Sequence, residues 1–64
     1  METGTIVQVV ADRGFGFIRP SERGKDLFFH ANQLADDLIF DERLREMRVK
    51  YTTGHPAEFI DNLE

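Results

Sequence analysis

The aromatic residues whose spacing could do chemistry lie in two short stretches, RGFGFI at residues 13–18 and DLFFH at residues 26–30. Both stretches alternate with the period of two that is typical of β-strands, so every second side chain shares a face. Pairing the two strands through the turn-rich link between them would bring four rings onto one surface. These rings are Phe15, Phe17, Phe28 and His30. Flat aromatic rings suit unstacked nucleic-acid bases, at roughly 1–3 kcal/mol per stacked base.

Phenylalanines on a strand more often belong to a core than to a ligand-binding surface. The residues on the opposite faces of the two strands decide between these interpretations. Those faces carry Ile18, Leu27 and Phe29, which suffice for a core of their own. Gly14 and Gly16 weaken a strand and indicate close packing or tight curvature behind the phenylalanines. Three phenylalanines left together on a surface of a soluble protein indicate that something covers them. The sequence therefore predicts an aromatic surface that faces a ligand.

Both stretches resemble motifs of the cold-shock domain family. RGFGFI resembles the family's first ribonucleoprotein motif, K-G-F-G-F-I, and LFFH resembles the second, V-F-V-H. The opening GTI at residues 4–6 is also similar to the family pattern, and the resemblance is strong over residues 4–34. RNA-recognition-motif domains share the first motif, but their second motif lies upstream and they need two long helices, for which 64 residues leave no room.

The resemblance implies an all-β fold, a five-stranded antiparallel barrel of the oligonucleotide-binding type, formed by residues 1–64 as one domain. Residues 1–3 are expected to be a tail. Strands are predicted at 4–10, 13–18, 26–30, 48–53 and 57–63. A short helical turn is predicted at 41–46, between strands three and four, because Phe40, Leu44 and Met47 have helical spacing and Asp41 can cap them. Asn32 is expected to cap another short turn after the third strand.

The same resemblance assigns roles in nucleic-acid binding. Bases are expected to stack on Phe15, Phe17, Phe28 and His30. Phosphates are expected to contact Arg13, Arg19 and Lys25, and Asp26 is expected to accept a hydrogen bond from a base edge. Phe40 matches an aromatic residue of a long family loop, with a plug at the end of the barrel as the alternative.

The chain departs from the family in its first strand. The family's K-W-F-N is replaced by Val7-Gln8-Val9-Val10, which removes a stacking platform at Gln8 and a phosphate contact at Val7. Phe29 stands where the family usually has valine and Val9 where it has phenylalanine, so core volume is roughly conserved. A further family glycine is lost in the stretch 46–49.

Composition limits the remaining possibilities. The net charge is −4, but residues 1–32 hold four acids and four bases, so all the excess acid lies in residues 33–64. There is no cysteine for a disulfide or thiolate site, and no apolar run approaches the length of a membrane span. Two histidines with no metal-ligand spacing predict no metal, no cofactor and no enzyme. We expect a cytoplasmic monomer without membrane contact.

The predicted function is sequence-tolerant binding of single-stranded RNA or DNA. The resemblance implies the role of an RNA chaperone or a regulator of transcription or translation. The alternative is a protein-binding module on the same barrel, in which the aromatic surface and the acidic second half dock a protein partner. Loss of the K-W-F-N aromatics favours that alternative.

Overall fold

A computed structural model describes residues 1–22 and 24–63, and the secondary structure in them is strands joined by turns. The strands are β1 (Glu2–Val10), β2 (Phe15–Pro20), β3 (Leu27–His30), β4 (Arg48–Thr52) and β5 (Glu58–Asn62). They form one antiparallel sheet in the order β3-β2-β1-β4-β5. Two 3₁₀ turns, Ala31–Gln33 and Glu42–Leu44, lie between β3 and β4. The predicted all-β class is confirmed.

The sheet curls so that its two edges approach each other. The Ala57 N–H donates to the Phe28 carbonyl at 2.9 Å, which ties the segment before β5 to β3. Leu34 forms a parallel bridge with Ile60, and the Ala35 N–H donates to the Ile60 carbonyl at 2.7 Å. These contacts use backbone groups that an open sheet edge would leave unpaired. The result is the curled architecture of the oligonucleotide-binding barrel.

The core lies on the concave side of the sheet, where alternate strand residues point inward. Its buried side chains are Ile6, Val9, Ile18, Leu27, Phe29, Leu44, Val49, Tyr51, Ala57 and Ile60. Leu34, Phe40 and Met47 pack against this group and are partly buried. Because β-strand side chains alternate between faces, the core takes one face of β2 and β3 and leaves the other to solvent.

Two glycines set the shape of the sheet behind the phenylalanines. Gly14 has φ +77°, a left-handed conformation that closes the turn between β1 and β2. At Gly16 an added Cβ would lie 2.5 Å from the Gln8 carbonyl oxygen and 2.9 Å from the Phe29 ring. The Phe29 ring therefore occupies the space that a side chain at position 16 would fill. The close packing predicted behind the phenylalanines is present.

The ends of the strands differ from the sequence prediction. β1 begins at Glu2, because Glu2 and Thr3 pair with Tyr51 and Lys50 of β4, so the prediction of a tail over residues 1–3 was wrong. β2 begins at Phe15, because residues 11–14 form the preceding turn.

The helical turns are placed as predicted, although one cap is not. The Arg43 N–H donates to the Asp41 carboxylate at 2.8 Å, which confirms Asp41 as a cap. Asn32 lies inside the turn Ala31–Gln33 and does not cap it; the capping position is His30, whose side chain makes no cap hydrogen bond. Glu46 takes φ 69°, a conformation that favours glycine, in the stretch where the family glycine is lost.

Candidate nucleic-acid interface

The register of β2 and β3 assembles the four predicted rings on the outer face of the sheet. Phe15 pairs with His30 and Phe17 pairs with Phe28. The Phe28 centroid lies 5.5 Å from that of Phe15, 5.9 Å from that of Phe17 and 4.7 Å from that of His30. Phe15 and Phe17 are 6.0 Å apart, edge to face. We call these four side chains the aromatic surface; the phenylalanines are half-buried and His30 is exposed.

The outward orientation of the aromatic surface follows from what fills the inner face of the same strands. Ile18 and Phe29 have no exposed area, and Leu27 is also buried. Turning the hairpin over would move these three into water, and burial of each such side chain stabilises by about 1.5–3 kcal/mol. The core thus holds the rings of the outer face in position without using them.

β1 borders the aromatic surface on the side away from β3. A shift of register between Ile6 and Gln8, with one extra residue on β1, places Gln8 opposite Phe17 and Val10 opposite Phe15. A bulge of this kind re-aims the side chains that follow it. Gln8 is exposed there and Val9 is in the core. Gln8, where the family resemblance expects a stacking tryptophan, therefore lies on the same face as the aromatic surface and adjoins Phe17.

Arg19 lies two residues after Phe17 and Asp26 two residues before Phe28, and their side chains form an ion pair. The Arg19 Nε lies 3.2 Å from the Asp26 Oδ1, and the side chains are 66% and 36% exposed. An exposed ion pair of this kind contributes about 0–1 kcal/mol. The predicted phosphate ligand and the predicted base-edge acceptor are thus brought together beside Phe17, and the pair is weak enough to exchange partners with a ligand.

The other predicted phosphate ligands lie on the turns at the ends of β2. Arg13 is exposed in the turn before β2, and its N–H donates to the Val10 carbonyl at 3.1 Å. Lys25 is exposed before β3. Within residues 1–22 and 24–63, neither side chain makes an ion pair. Both charges are therefore available to a ligand.

The structure places Phe40 away from this group. Its ring lies 6.2 Å from the Phe29 ring, nearly perpendicular to it, and it packs against the core. This position matches the alternative stated for Phe40, a plug at the end of the barrel. Its contact with nucleic acid stays a prediction.

The only shifted pKa resolved in the described residues belongs to a core side chain. Burial raises the pKa of Tyr51, and the Glu2 carboxylate, opposite it in the β1–β4 register, raises it further. Residues 1–22 and 24–63 contain no group of three or more His, Cys, Asp or Glu that could hold a metal. In the same ranges no helix is long and apolar enough to cross a membrane. The aromatic surface and the exposed charges at Arg13, Arg19 and Lys25 suit base stacking and weak ionic contact.

Sequence reasoning missed one group of charged residues that borders β1. Arg43, Arg45 and Arg48 surround a concavity on the side of β1 that faces away from β2. Their spacing follows no familiar motif, and the only signal in the sequence was that three of the four bases in residues 33–64 lie close together.

Comparison with known proteins identifies a family and relatives. Residues 2–57 match the family model described as "'Cold-shock' DNA-binding domain". The chain is 47% identical over 54 residues to the cold shock-like protein CspA of Bordetella pertussis, which covers 84% of this chain and 79% of that protein. The proteins of the same name from Bordetella bronchiseptica and Bordetella parapertussis match to the same extent. The matched range includes the whole aromatic surface.

Proposed function

Because the chain belongs to the family of the "'Cold-shock' DNA-binding domain", we propose that it binds single-stranded RNA or DNA by stacking bases on the aromatic surface. The observation that carries the proposal is the group of four adjacent rings on an outer sheet face whose inner face already supplies the core. Proteins of this family are not enzymes, which agrees with the prediction made from the sequence.

Single-stranded rather than duplex nucleic acid fits this surface. In a duplex the base faces are stacked on one another, whereas a single strand can turn them toward protein rings. The rings contact one another edge to face or at a tilt, with centroids 4.7 to 6.0 Å apart. Ring faces are sequence-tolerant partners because every base has a π-face. We propose low sequence preference and the corresponding role of an RNA chaperone or a regulator of transcription or translation.

The charges around the surface support modest affinity. Among the residues that the structure describes, Arg13 and Lys25 have no ion-pair partner, whereas Arg19 shares its charge with Asp26. Each phosphate neutralised in a single strand contributes about 0.7 to the slope of log affinity against log salt. With two or three such contacts we expect a slope of roughly 1.4–2.1.

A protein-binding module remains the second candidate function, favoured by one observation. Gln8 and Val10 border Phe17 and Phe15, where the resemblance expects aromatic and polar residues that contact nucleic acid. The acidic second half of the chain would suit a basic protein partner.

A titration monitored by fluorescence anisotropy separates the two functions. Labelled single-stranded homopolymers and a duplex of the same length are titrated with the wild-type protein at several salt concentrations. The proposal expects single strands to bind, more weakly as salt rises, and the duplex to bind far less. Equal affinity for duplex and single strand, or no binding of either, would move the protein-binding function ahead.

A further inference from the structure

A polar concavity of about 360 Å³ lies beside β1, on the side that faces away from β2. Three arginines are among the residues that line it, Arg43, Arg45 and Arg48. Among the described residues that line it Glu46 is the one carboxylate, so this part of the lining carries a net charge of +2 (three arginines less one glutamate). Three of the four bases in residues 33–64 thus line this one concavity.

Backbone hydrogen bonds join β1 to the segment that lines the concavity. The Ile6 N–H donates to the Met47 carbonyl at 2.9 Å, and the Glu46 N–H donates to the Ile6 carbonyl at 2.6 Å. This segment therefore continues the β1–β4 ladder beyond the pair of Thr5 with Arg48. It lies next to the bulge in β1, after which Gln8 pairs with Phe17 of β2. Two strand spacings, roughly 10 Å, separate it from the row of Phe17.

Arg48 also lies on the same outer face of the sheet as the aromatic surface. Thr5 pairs with Arg19 on one side and with Arg48 on the other, while the neighbouring Val49 points into the core. A strand of nucleic acid that leaves Phe17 and crosses β1 on this face would meet Arg48 and the concavity next.

The three guanidiniums are available to an anion. Arg48 makes no ion pair within the described part of the chain. Arg43 pairs with Asp41 at 3.3 Å and Arg45 approaches Glu42 at 3.7 Å, yet these arginine side chains are 89% and 60% exposed. Such exposed pairs are weak, and a guanidinium has five N–H donors of which these contacts use only a few. Guanidinium groups bind phosphate oxygens in a two-pronged geometry.

We propose that this concavity is a phosphate-binding subsite for single-stranded nucleic acid that crosses β1 from the aromatic surface. The proposal rests on the proposed function, and it adds a length requirement to it. A strand long enough to reach the arginines gains phosphate contacts that a strand confined to the aromatic surface lacks.

The test compares two oligothymidylates, one of about four and one of about eight nucleotides, within the range of site sizes for this fold. Anisotropy titrations measure the affinities of the wild type, of Arg48→Gln and of the double variant Arg45→Gln/Arg48→Gln. Lys50→Gln is the matched control, because Lys50 is on the same strand and carries the same charge but lines a different concavity. All four proteins should fold, since the changes are on partly or fully exposed side chains.

For the longer strand we expect affinity to fall roughly fivefold in Arg48→Gln and up to about 25-fold in the double variant at about 0.1 M salt, with the salt slope reduced by about 0.7 per arginine. The shorter strand and the Lys50→Gln control should show no such loss. Equal losses for both strand lengths, equal loss in the control, or no loss in the double variant would overturn the subsite while leaving the proposed function in place. Failure of the wild type to bind either strand would overturn both.

Discussion

Phe28 and Phe29 are neighbours on β3 whose side chains point to opposite faces, so truncating each should impair a different property of the protein. Phe29 has no exposed area, and its ring packs over Gly16. Phe28 contacts the other three rings of the aromatic surface and is half-buried. Phe28→Ala should therefore weaken binding, and Phe29→Ala should weaken the fold.

The expected magnitudes differ enough to be separated. Truncating a buried phenylalanine costs about 3–5 kcal/mol, against a total stability of about 3–10 kcal/mol for a chain of this length. Phe29→Ala should therefore lose a large part of the free energy of unfolding. Phe28 makes three aromatic contacts worth about 0.5–1.5 kcal/mol each, and at the low end of that range, which we expect for half-exposed rings, their loss should lower the stability of Phe28→Ala by about 1.5 kcal/mol. Loss of one stacking platform should cost it about 1–3 kcal/mol of binding.

Urea melts give the stability of each variant, and anisotropy with a single-stranded homopolymer gives its affinity. Phe29→Leu, which keeps much of the core volume, is the folded companion for binding measurements and should bind nearly as the wild type does. Greater destabilisation by Phe28→Ala than by Phe29→Ala would show that the two faces are assigned the wrong way round.

Three further changes test other parts of the structure. Gln8→Trp adds an aromatic ring beside Phe17 and should tighten single-strand binding by about 1–3 kcal/mol with unchanged melting temperature; no gain in a folded variant would remove the surface at position 8 from the interface. The raised pKa of Tyr51, caused first by burial and then by a nearby carboxylate, means that the unfolded state loses the phenolic proton first. The stabilising contribution of the neutral Tyr51 to the free energy of unfolding should thus be complete below the ordinary pKa of 10.0 and be lost as pH rises through the pKa of the folded state. A Tyr51→Phe variant that shows the same alkaline loss of stability in urea melts would contradict this. Val9→Phe with Phe29→Val should destabilise less than the sum of the single changes, and strict additivity in urea melts would show that the sites are independent.

The sequence predicted the aromatic surface because this surface depends on the two-residue period of a strand, and the resemblance to the cold-shock family implied the fold. Once residues 13–18 and 26–30 are strands, the backbone alone decides that Phe15 and Phe17 share a face and that Phe28 and Phe29 point to opposite faces. The register found in the structure then pairs Phe17 with Phe28. The resemblance of the motifs at these residues supplied the five-stranded barrel, whereas the order of the strands in the sheet comes from the structure.

Features that depend on pairing between distant strands were beyond the sequence. The bulge near Gln8 and the start of β1 at Glu2 follow from hydrogen bonds to β2 and β4, not from the local pattern. The pairing of Arg19 with Asp26 requires the register of the hairpin. Phe40 had two possible positions in sequence, and the hydrophobic gain of packing against Phe29 accounts for the one it takes.

The most direct test of base stacking on the aromatic surface is the aromatic region of a carbon–proton correlation NMR spectrum, recorded with and without a short oligothymidylate. Bases stacked on the rings would shift the ring signals of Phe15, Phe17, Phe28 and His30, while the buried ring of Phe29 would stay nearly unchanged. Saturable binding in which those four ring signals do not move would contradict the account, because the nucleic acid would then lie on another surface of the barrel.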